Sequence, residues 1–296
     1  MSTFTALINS MRLRTLPLSL AGVVCGGFFA YGKSHSSILS LLLLLLTTIC
    51  LQILTNLSNE MGDHLSGVDS IDREGPNYSM TGGELTEKQM WTSINTLVII
   101  CAVFGLALLL TSYHFALTNI QFILLLLLGA IAIWAATHYT LGKSPYGYKG
   151  LGDIFVFIFF GLVSVMGSYF VIAHNIEWAM TWPAIGIGLL SVGVLNINNI
   201  RDMQSDKGLR QTIPLKKKKK KAKLYQTVLV IGGYTCMLLP CQSWWLIAFA
   251  PLYILHLYLL WSRKGKRLDP ALPLLVMTTF ATSIVFVICL SYTEIG

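Results

Sequence analysis

Long apolar runs recur along the whole chain and constrain its fold more than any other feature. The run at residues 38–58, for example, contains six consecutive leucines and no charged residue. About 20 apolar residues in a helix are enough to cross the hydrocarbon core of a bilayer. Of the 296 residues, 54% are hydrophobic and only 11% are charged, which leaves too little polar surface to cover a soluble globule. We therefore predict an integral membrane protein.

Nine of these runs have the length of a membrane span. They are residues 16–33, 38–58, 91–113, 116–137, 154–174, 179–199, 224–241, 243–261 and 272–292. We predict an all-α polytopic protein in which nine transmembrane helices form a bundle around a central cavity, as a single domain over residues 1–296. No run is bordered by the short apolar core and small-residue cleavage site of a signal peptide, so we expect Met1 to begin the mature protein.

Basic residues are concentrated in the loops on one side of the predicted bundle. If the N-terminus is cytoplasmic, 20 of the 21 lysines and arginines lie inside, and only Lys33 lies outside. Positively charged loops stay on the cytoplasmic side of a membrane. The same assignment puts 11 of the 13 acids inside, with Glu177 and Glu294 as the exceptions. We predict a multi-pass protein of the bacterial cytoplasmic membrane whose N-terminus, cavity and active site face the cytoplasm, and whose C-terminus is outside.

The net charge of +8 comes mostly from the run Lys216–Lys221. Near a membrane, each basic residue contributes about 1 kcal/mol of attraction to anionic lipid. We therefore predict a bilayer with anionic headgroups as the partner of this run, and no nucleic acid. All six cysteines fall inside predicted spans without a CxxC pair, so we expect free thiols, no disulfide and no structural zinc.

Two clusters of acid and amide side chains follow predicted spans two and six. The first polar cluster is Asn56, Asn59, Glu60 and Asp63, followed by Asp69 and Asp72, and the second is Asn198, Asn199, Arg201, Asp202 and Asp206. Residues three or four apart share a helix face, so each cluster forms a stripe. Neighbouring carboxylates repel each other unless a cation lies between them, and Mg²⁺ commonly joins one or two carboxylates to substrate phosphates. The pattern predicts a site for a magnesium-bound diphosphate.

The two clusters lie four spans apart, which indicates a weak internal duplication of spans one to four and five to eight. Basic residues nearby are expected partners of phosphate oxygens, although each also belongs to the positive-inside signal. They are Arg14, Arg73, Lys143, Arg201 and Lys207. Tyr139, Tyr146 and Tyr148 follow span four, where an aromatic face either stabilises a carbocation or belongs to an interfacial belt.

The first polar cluster, extended through Gly67-Val-Asp69 and Asp72-Arg73-Glu-Gly75-Pro76, resembles the first motif of the intramembrane aromatic prenyltransferases related to the ubiquinone-pathway enzyme. Three other stretches resemble the branch of that family that acts on 1,4-dihydroxy-2-naphthoate in menaquinone synthesis. These stretches are Arg12-Leu-Arg14-Thr-Leu-Pro17, Pro145-Tyr-Gly-Tyr148 with Gly150-Leu-Gly-Asp153, and Asn198-Asn199-Ile-Arg201-Asp202 with Ser205-Asp206. The resemblance runs from residue 12 to about residue 225. Glu60 stands where the family usually has aspartate, and the pattern after Asp206 is one residue shorter.

The resemblance implies a magnesium-dependent enzyme that transfers a polyprenyl group from polyprenyl diphosphate to 1,4-dihydroxy-2-naphthoate, with loss of carbon dioxide and diphosphate, giving demethylmenaquinone. It implies metal ligands at Glu60, Asp63, Asp69, Asn199, Asp202 and Asp206. It implies catalytic roles for Asp63, Asp202, Lys143 and Arg201. The implied substrate-binding residues are Asn56, Asn59, Tyr139, Arg73, Lys207 and Arg14.

Two alternatives stay open at this point. A sister enzyme would use the same metal motifs on another aromatic acceptor, such as 4-hydroxybenzoate or homogentisate; the stretch 150–153 favours naphthoate. An ion-coupled secondary transporter also has many apolar spans with intramembrane acids. A transporter would place its polar residues near the bilayer midplane in broken helices, whereas here they lie at helix ends.

Overall fold

The computed structural model describes residues 2–34, 36–67, 79–203, 211–216, 219–241 and 243–293. Within these residues the chain is helical and contains no strand. Its long helices are α1 Thr3–Lys33, α2 Ile38–Leu65, α3 Glu87–Ser112, α4 Ile120–His138, α5 Gly152–Ala173, α6 Trp178–Arg201, α7 Lys219–Leu238, α8 Trp244–Ser262 and α9 Ala271–Thr293. Short helical turns at Tyr146–Lys149 and Gly265–Leu268 lie in two connections. The predicted all-α bundle is confirmed.

Eight of the long helices in the described residues are apolar enough to cross a membrane. The remaining one, α7, begins with lysines that lower its mean hydropathy, and its apolar part coincides with the predicted seventh span. Two helices extend past the predicted spans at the polar clusters: α2 continues to Leu65 and α6 to Arg201. The first cluster is therefore helical up to Asp63, and its side chains have the fixed spacing of an α-helix.

The helices form two groups joined by α1. Helix α2 packs on α3 and α4, helix α6 packs on α5, α7 and α9, and α1 contacts α2, α5 and α9. Of the 18-residue apolar stretch in each helix, 67% is buried inside the protein in α6 and 11% in α4. Helix α6 is thus central, and α4 lies at the lipid-facing periphery.

Small residues allow the central helices to approach closely, as is common in membranes. A Cβ atom added to Gly161 of α5 would lie 2.7 Å from Cα of Gly188 in α6. Gly26 of α1 similarly faces the main chain of Val165 in α5. Both α1 and α5 have a π-helical stretch, at Val24–Phe28 and Phe157–Gly167, and the two stretches pack against each other.

Candidate active site

Glu60, on the last turns of α2, is fully buried. Its Oε1 accepts hydrogen bonds from the hydroxyl of Ser10 and the backbone N–H of Met80, both at 3.1 Å. Its Oε2 is shielded from solvent and has no hydrogen-bond partner among the described residues. A buried carboxylate oxygen is costly unless it is paired. Oε2 therefore fits the position of a metal ligand.

Asp63 lies one turn further along α2 and is also buried. Its Oδ1 accepts a 2.7 Å hydrogen bond from the phenol of Tyr148, and that phenol lies 2.8 Å from Oγ of Ser66. Tyr148 belongs to the turn Tyr146–Lys149, which follows α4. The connection between α4 and α5 thus crosses the end of α2 and holds the Asp63 carboxylate.

Thr140 attaches the same connection to α2. Its hydroxyl donates to the carbonyl of Ser58 at 3.0 Å and to Oδ1 of Asn59 at 3.3 Å. A Cβ atom added to Gly62 would lie 2.6 Å from the carbonyl carbon of Thr140. Only glycine leaves room for this approach, which sets the distance between the connection and the carboxylates beside it.

Asn56 supports a break in α1. Its amide donates to the carbonyl of Met11 at 2.8 Å and to the hydroxyl of Thr15 at 3.0 Å. Between these two residues Arg12 adopts a left-handed conformation, with φ 49°. Nε and Nη2 of Arg12 are shielded from solvent, whereas Arg14 is exposed. The contacts of Asn56 thus bring the basic stretch of α1 to the first polar cluster.

Arg201 organises the second polar cluster. Its guanidinium is buried and forms a bidentate ion pair with Asp202, with Nε–Oδ1 at 2.7 Å and Nη2–Oδ2 at 2.9 Å. Nη1 also binds Oδ1 of Asp269, in the connection between α8 and α9, at 2.9 Å, and Nη2 binds Oδ1 of Asn198. These contacts fix the orientation of Asp202. A role of Arg201 in phosphate binding remains a prediction, and it requires part of this network to open.

Asn199 lines a small cavity between α6 and the α4–α5 connection. Its volume is about 10 Å³, which is the scale of one water molecule. The other lining residues are Tyr139, Gly147, Gly150, Gly152, Asp153, Leu195, Gln211 and Thr212. The backbone N–H of Gln211 donates to the carbonyl of Tyr148 at 3.0 Å. Tyr148 therefore joins Asp63 to the chain that follows the second cluster, and both clusters lie at one end of the bundle, called here the cluster end.

Tyr139 and Tyr146 pack edge to face in the same connection, with ring centroids 5.3 Å apart. Burial, with a smaller contribution from Tyr139, raises the pKa of Tyr146 above its ordinary value. The neutral phenol of Tyr146 donates to the carbonyl of Ala135 at 2.7 Å. The hydroxyl of Tyr146 thus attaches the connection to α4, whereas Tyr139 borders the cavity beside Asn199.

The structure brings most of the predicted site residues to the cluster end. Lys143 and Arg14 are exposed there. Four predicted residues, as well as Asp72 of the first cluster, lie outside the described part of the chain: Asp69, Arg73, Asp206 and Lys207. No group of three or more acidic, histidine or cysteine side chains in the described part is arranged to hold a metal. The assigned metal, catalytic and substrate-binding roles therefore stay predictions.

Two residues at the cluster end make contacts that the sequence does not predict. Asp153 lines the cavity and accepts a 3.0 Å hydrogen bond from the phenol of Tyr225 on α7. For Tyr148 the sequence suggests a role of the ring face, whereas the structure shows contacts of its hydroxyl. Both belong to the stretches 145–148 and 150–153, so the motif pointed to the right place without indicating the contacts.

Comparison with known proteins identifies the family of this chain. Residues 19–289 match the UbiA prenyltransferase family. The chain is 36% identical to the 1,4-dihydroxy-2-naphthoate octaprenyltransferase of Escherichia coli, over 96% of this chain and 94% of that protein. It is 35% identical to the protein of the same name from Haemophilus influenzae, over 94% of this chain and 93% of that protein.

Solved structures share the fold at low sequence identity. A UbiA homologue from Aeropyrum pernix K1 has a TM-score of 0.69 at 15% identity and covers 96% of this chain and 99% of its own. A UbiA homologue from Archaeoglobus fulgidus, bound to GPP and Mg²⁺, has a TM-score of 0.63 at 14% identity over 95% of this chain and 99% of its own. With the family match spanning most of its length, the chain belongs to the UbiA prenyltransferase family.

Proposed function

We propose that this protein transfers a polyprenyl group from polyprenyl diphosphate to 1,4-dihydroxy-2-naphthoate and so makes demethylmenaquinol, the hydroquinone form of demethylmenaquinone. The observation that carries the proposal is the similarity, over 96% of the chain, to the E. coli protein named 1,4-dihydroxy-2-naphthoate octaprenyltransferase. The geometry supports it, because the α4–α5 connection contacts Asp63 of α2 through Tyr148 and lines a cavity together with Asn199 of α6.

The oxygens at the cluster end suit magnesium, which prefers hard carboxylate and amide ligands. Oε2 of Glu60 supports this choice because it is buried without a hydrogen-bond partner in the described chain. The residues proposed to hold magnesium and diphosphate are Asn59, Glu60, Asp63, Asp69, Asn199, Asp202 and Asp206. When bound, magnesium would stabilise the charge that develops on the diphosphate oxygens as the leaving group departs.

The chain's own side chains would then position the two substrates. Lys143 and Arg14, exposed at the cluster end, would bind diphosphate oxygens, and Tyr148 would keep the Asp63 carboxylate in place. The bond between the allylic carbon and diphosphate breaks, and a ring carbon of the acceptor forms the new carbon–carbon bond. Loss of the ring carboxylate as carbon dioxide returns its electron pair to the ring. Tyr139 is the aromatic side chain proposed to face the allylic cation.

We also infer that the cluster end faces the cytoplasm, with the N-terminus on the same side. The distribution of lysine and arginine supports this orientation, because 20 of the 21 fall on the N-terminal side of the membrane in the topology predicted from the sequence. The polyprenyl tail would leave sideways toward lipid, between helices that are apolar on their outer faces. Magnesium, polyprenyl diphosphate and the aromatic acceptor are thus the proposed cofactor and substrates.

A reconstituted enzyme assay tests the proposal. Purified protein in lipid vesicles is given polyprenyl diphosphate with either 1,4-dihydroxy-2-naphthoate or 4-hydroxybenzoate, in the presence of Mg²⁺ or of EDTA, and products are identified by mass. We expect demethylmenaquinol, or the demethylmenaquinone that forms from it in air, only with naphthoate and Mg²⁺, and its loss in Asp63→Asn. The variant Glu84→Gln, an exposed acid at the same end, is the control and should retain activity. Product with 4-hydroxybenzoate but not with naphthoate would show that 4-hydroxybenzoate is the acceptor. No product with either acceptor would refute the proposed reaction.

A further inference from the structure

The connection between α8 and α9 forms an open basic cleft that the proposed reaction does not use. Its volume is about 740 Å³, and its lining residues are Ser262, Arg263, Lys264, Lys266, Arg267, Asp269 and Pro270. Four cations thus face one acid. That acid, Asp269, already binds the buried guanidinium of Arg201 at 2.9 Å. The cleft therefore carries a net positive charge and lies at the cluster end.

Two cations of α7 add positive charge beside the cleft. Lys223 donates to the carbonyls of Leu260 and Arg263, at 2.5 and 3.1 Å, and so satisfies the C-terminal end of α8. Lys219 and Lys264 both lie close enough to Lys223 to interact with it electrostatically. Lys219 and Lys264 therefore each repel Lys223, and a bound anion would offset this repulsion.

The side chains of the cleft suit phosphate in particular. Arginine offers a planar fork to phosphate oxygens, and lysine offers a point charge. Arg263 and Arg267 supply forks, while Lys264 and Lys266 supply point charges from the same short connection. A carboxylate ligand would use only part of this donor set.

The surface next to the cleft is that of a membrane interface. Trp261 is 46% exposed and Tyr258 is 66% exposed, and α8 presents Ile254 and Leu255 to the outside one to two turns away. Tryptophan and tyrosine are enriched where a protein meets the lipid headgroups. A phosphate in the cleft can therefore have acyl chains attached to it, lying along α8.

We propose that this cleft binds phosphate groups at the level of the lipid headgroups, separately from the diphosphate site. An anionic phospholipid is the source that the adjoining aromatic and apolar surface favours, and free diphosphate is the other source of the same chemistry. The inference does not depend on the identity of the proposed reaction, because none of the residues that line the cleft is among those proposed to hold magnesium or the substrates.

Native mass spectrometry of the purified protein in zwitterionic detergent tests the cleft. The affinity of the first bound phosphatidylglycerol is measured for the wild type and for Lys266→Gln/Arg267→Gln, with phosphatidylcholine as the neutral lipid. We expect at least a five-fold loss of phosphatidylglycerol affinity in this double variant and no change for phosphatidylcholine. Both side chains are exposed, so the variant should keep the wild-type unfolding temperature.

Two control variants separate a built site from general attraction to a basic protein. The charge-preserving swap Lys266→Arg/Arg267→Lys should retain affinity, and so should Lys88→Gln, an exposed lysine at the start of α3. Equal losses in Lys88→Gln and in the cleft variant, or equal binding of both lipids, would overturn the proposal. Displacement of phosphatidylglycerol by millimolar diphosphate, again only in proteins with an intact cleft, would support the phosphate site and assign it to the soluble source.

Discussion

The phenol of Tyr148 donates a 2.7 Å hydrogen bond to the carboxylate of Asp63, although 85 residues separate them in the chain. The backbone of Tyr148 accepts from Gln211, just beyond the second polar cluster. One turn of a connecting segment therefore contacts both the end of α2 and the chain that follows α6. Variants of this turn should affect catalysis more than folding.

Tyr148→Phe removes the hydrogen bond to Asp63 and keeps the ring. A hydrogen bond to a charged group is worth about 1.5–3 kcal/mol, so we expect kcat/KM to fall roughly ten- to a hundred-fold. The measurement is steady-state prenyl transfer at saturating Mg²⁺. Tyr146→Phe is the matched control, since its phenol donates to the carbonyl of Ala135 and should mainly stabilise the fold. Equal activity losses in both variants would contradict a specific role of Tyr148.

Glu60→Gln keeps the shape of the side chain and removes its charge. The remaining carbonyl oxygen can still accept from Ser10 and Met80, so the fold should be preserved. Loss of a group that supports a metal ligand already weakens binding roughly 10- to 100-fold, and loss of the ligand itself should cost at least as much. We expect the Mg²⁺ concentration for half-maximal activity to rise accordingly. If the Mg²⁺ concentration for half-maximal activity is unchanged, Glu60 is not a metal ligand.

Gly62→Ala tests the close contact between α2 and Thr140. The added Cβ would meet backbone as well as side-chain atoms of Thr140, so one of the two segments must shift. Overpacking of this kind costs about 1–3 kcal/mol, and the shift also displaces Asp63. We expect a lower unfolding temperature and lower activity. Gly129→Ala, which has open space around the new atom, is the control and should be neutral or slightly stabilising.

The two acids that bind Arg201 should differ in their effects. Asp202 is buried, and its replacement by asparagine leaves the guanidinium without its bidentate partner, a loss of about 3–5 kcal/mol for buried pairs. The Asp269 side chain is 41% exposed, and pairs of that kind contribute about 0–1 kcal/mol. Thermal unfolding of Asp202→Asn and Asp269→Asn in detergent should show this difference. Similar unfolding temperatures for the two variants would contradict a dominant contribution of the Arg201–Asp202 pair to stability.

The sequence predicts the spans well because each apolar run must form a helix in lipid, where every backbone polar group needs an internal partner. Local spacing also indicates the stripe of Asn56, Asn59, Glu60 and Asp63 on α2. Helices α2 and α6 end later in the chain than predicted, because hydropathy falls at polar residues that are nevertheless helical.

Contacts between distant residues have no local signal. Arg201 lies beside Asp202 in the chain, but its second acid, Asp269, is 68 residues away and belongs to a basic connection. The contact of Tyr148 with Asp63 is equally hidden, because it depends on how the α4–α5 connection folds over α2. These long-range pairs hold the Asp63 carboxylate and the Arg201 guanidinium, and a motif alone does not specify them.

The structure adds an observation on the proposed duplication of spans one to four and five to eight. The π-helical stretches lie in α1 and α5, which are four spans apart, as are the two polar clusters. Helices at equivalent positions of the two halves thus share a rare geometry as well as a motif. The duplication stays a hypothesis, supported by two kinds of similarity.

The long sequence separation across the Tyr148 turn also bears on how the protein is made. Ribosomes add about 5–20 residues per second, so Asp63 leaves the ribosome roughly 4–17 s before Tyr148, and Gln211 follows later still. During synthesis the first half of the chain enters the membrane before this link between its acids and the second half can form. A nascent chain interrupted before Gln211 therefore lacks the assembled site, and membrane insertion and the gain of activity are separate events in time.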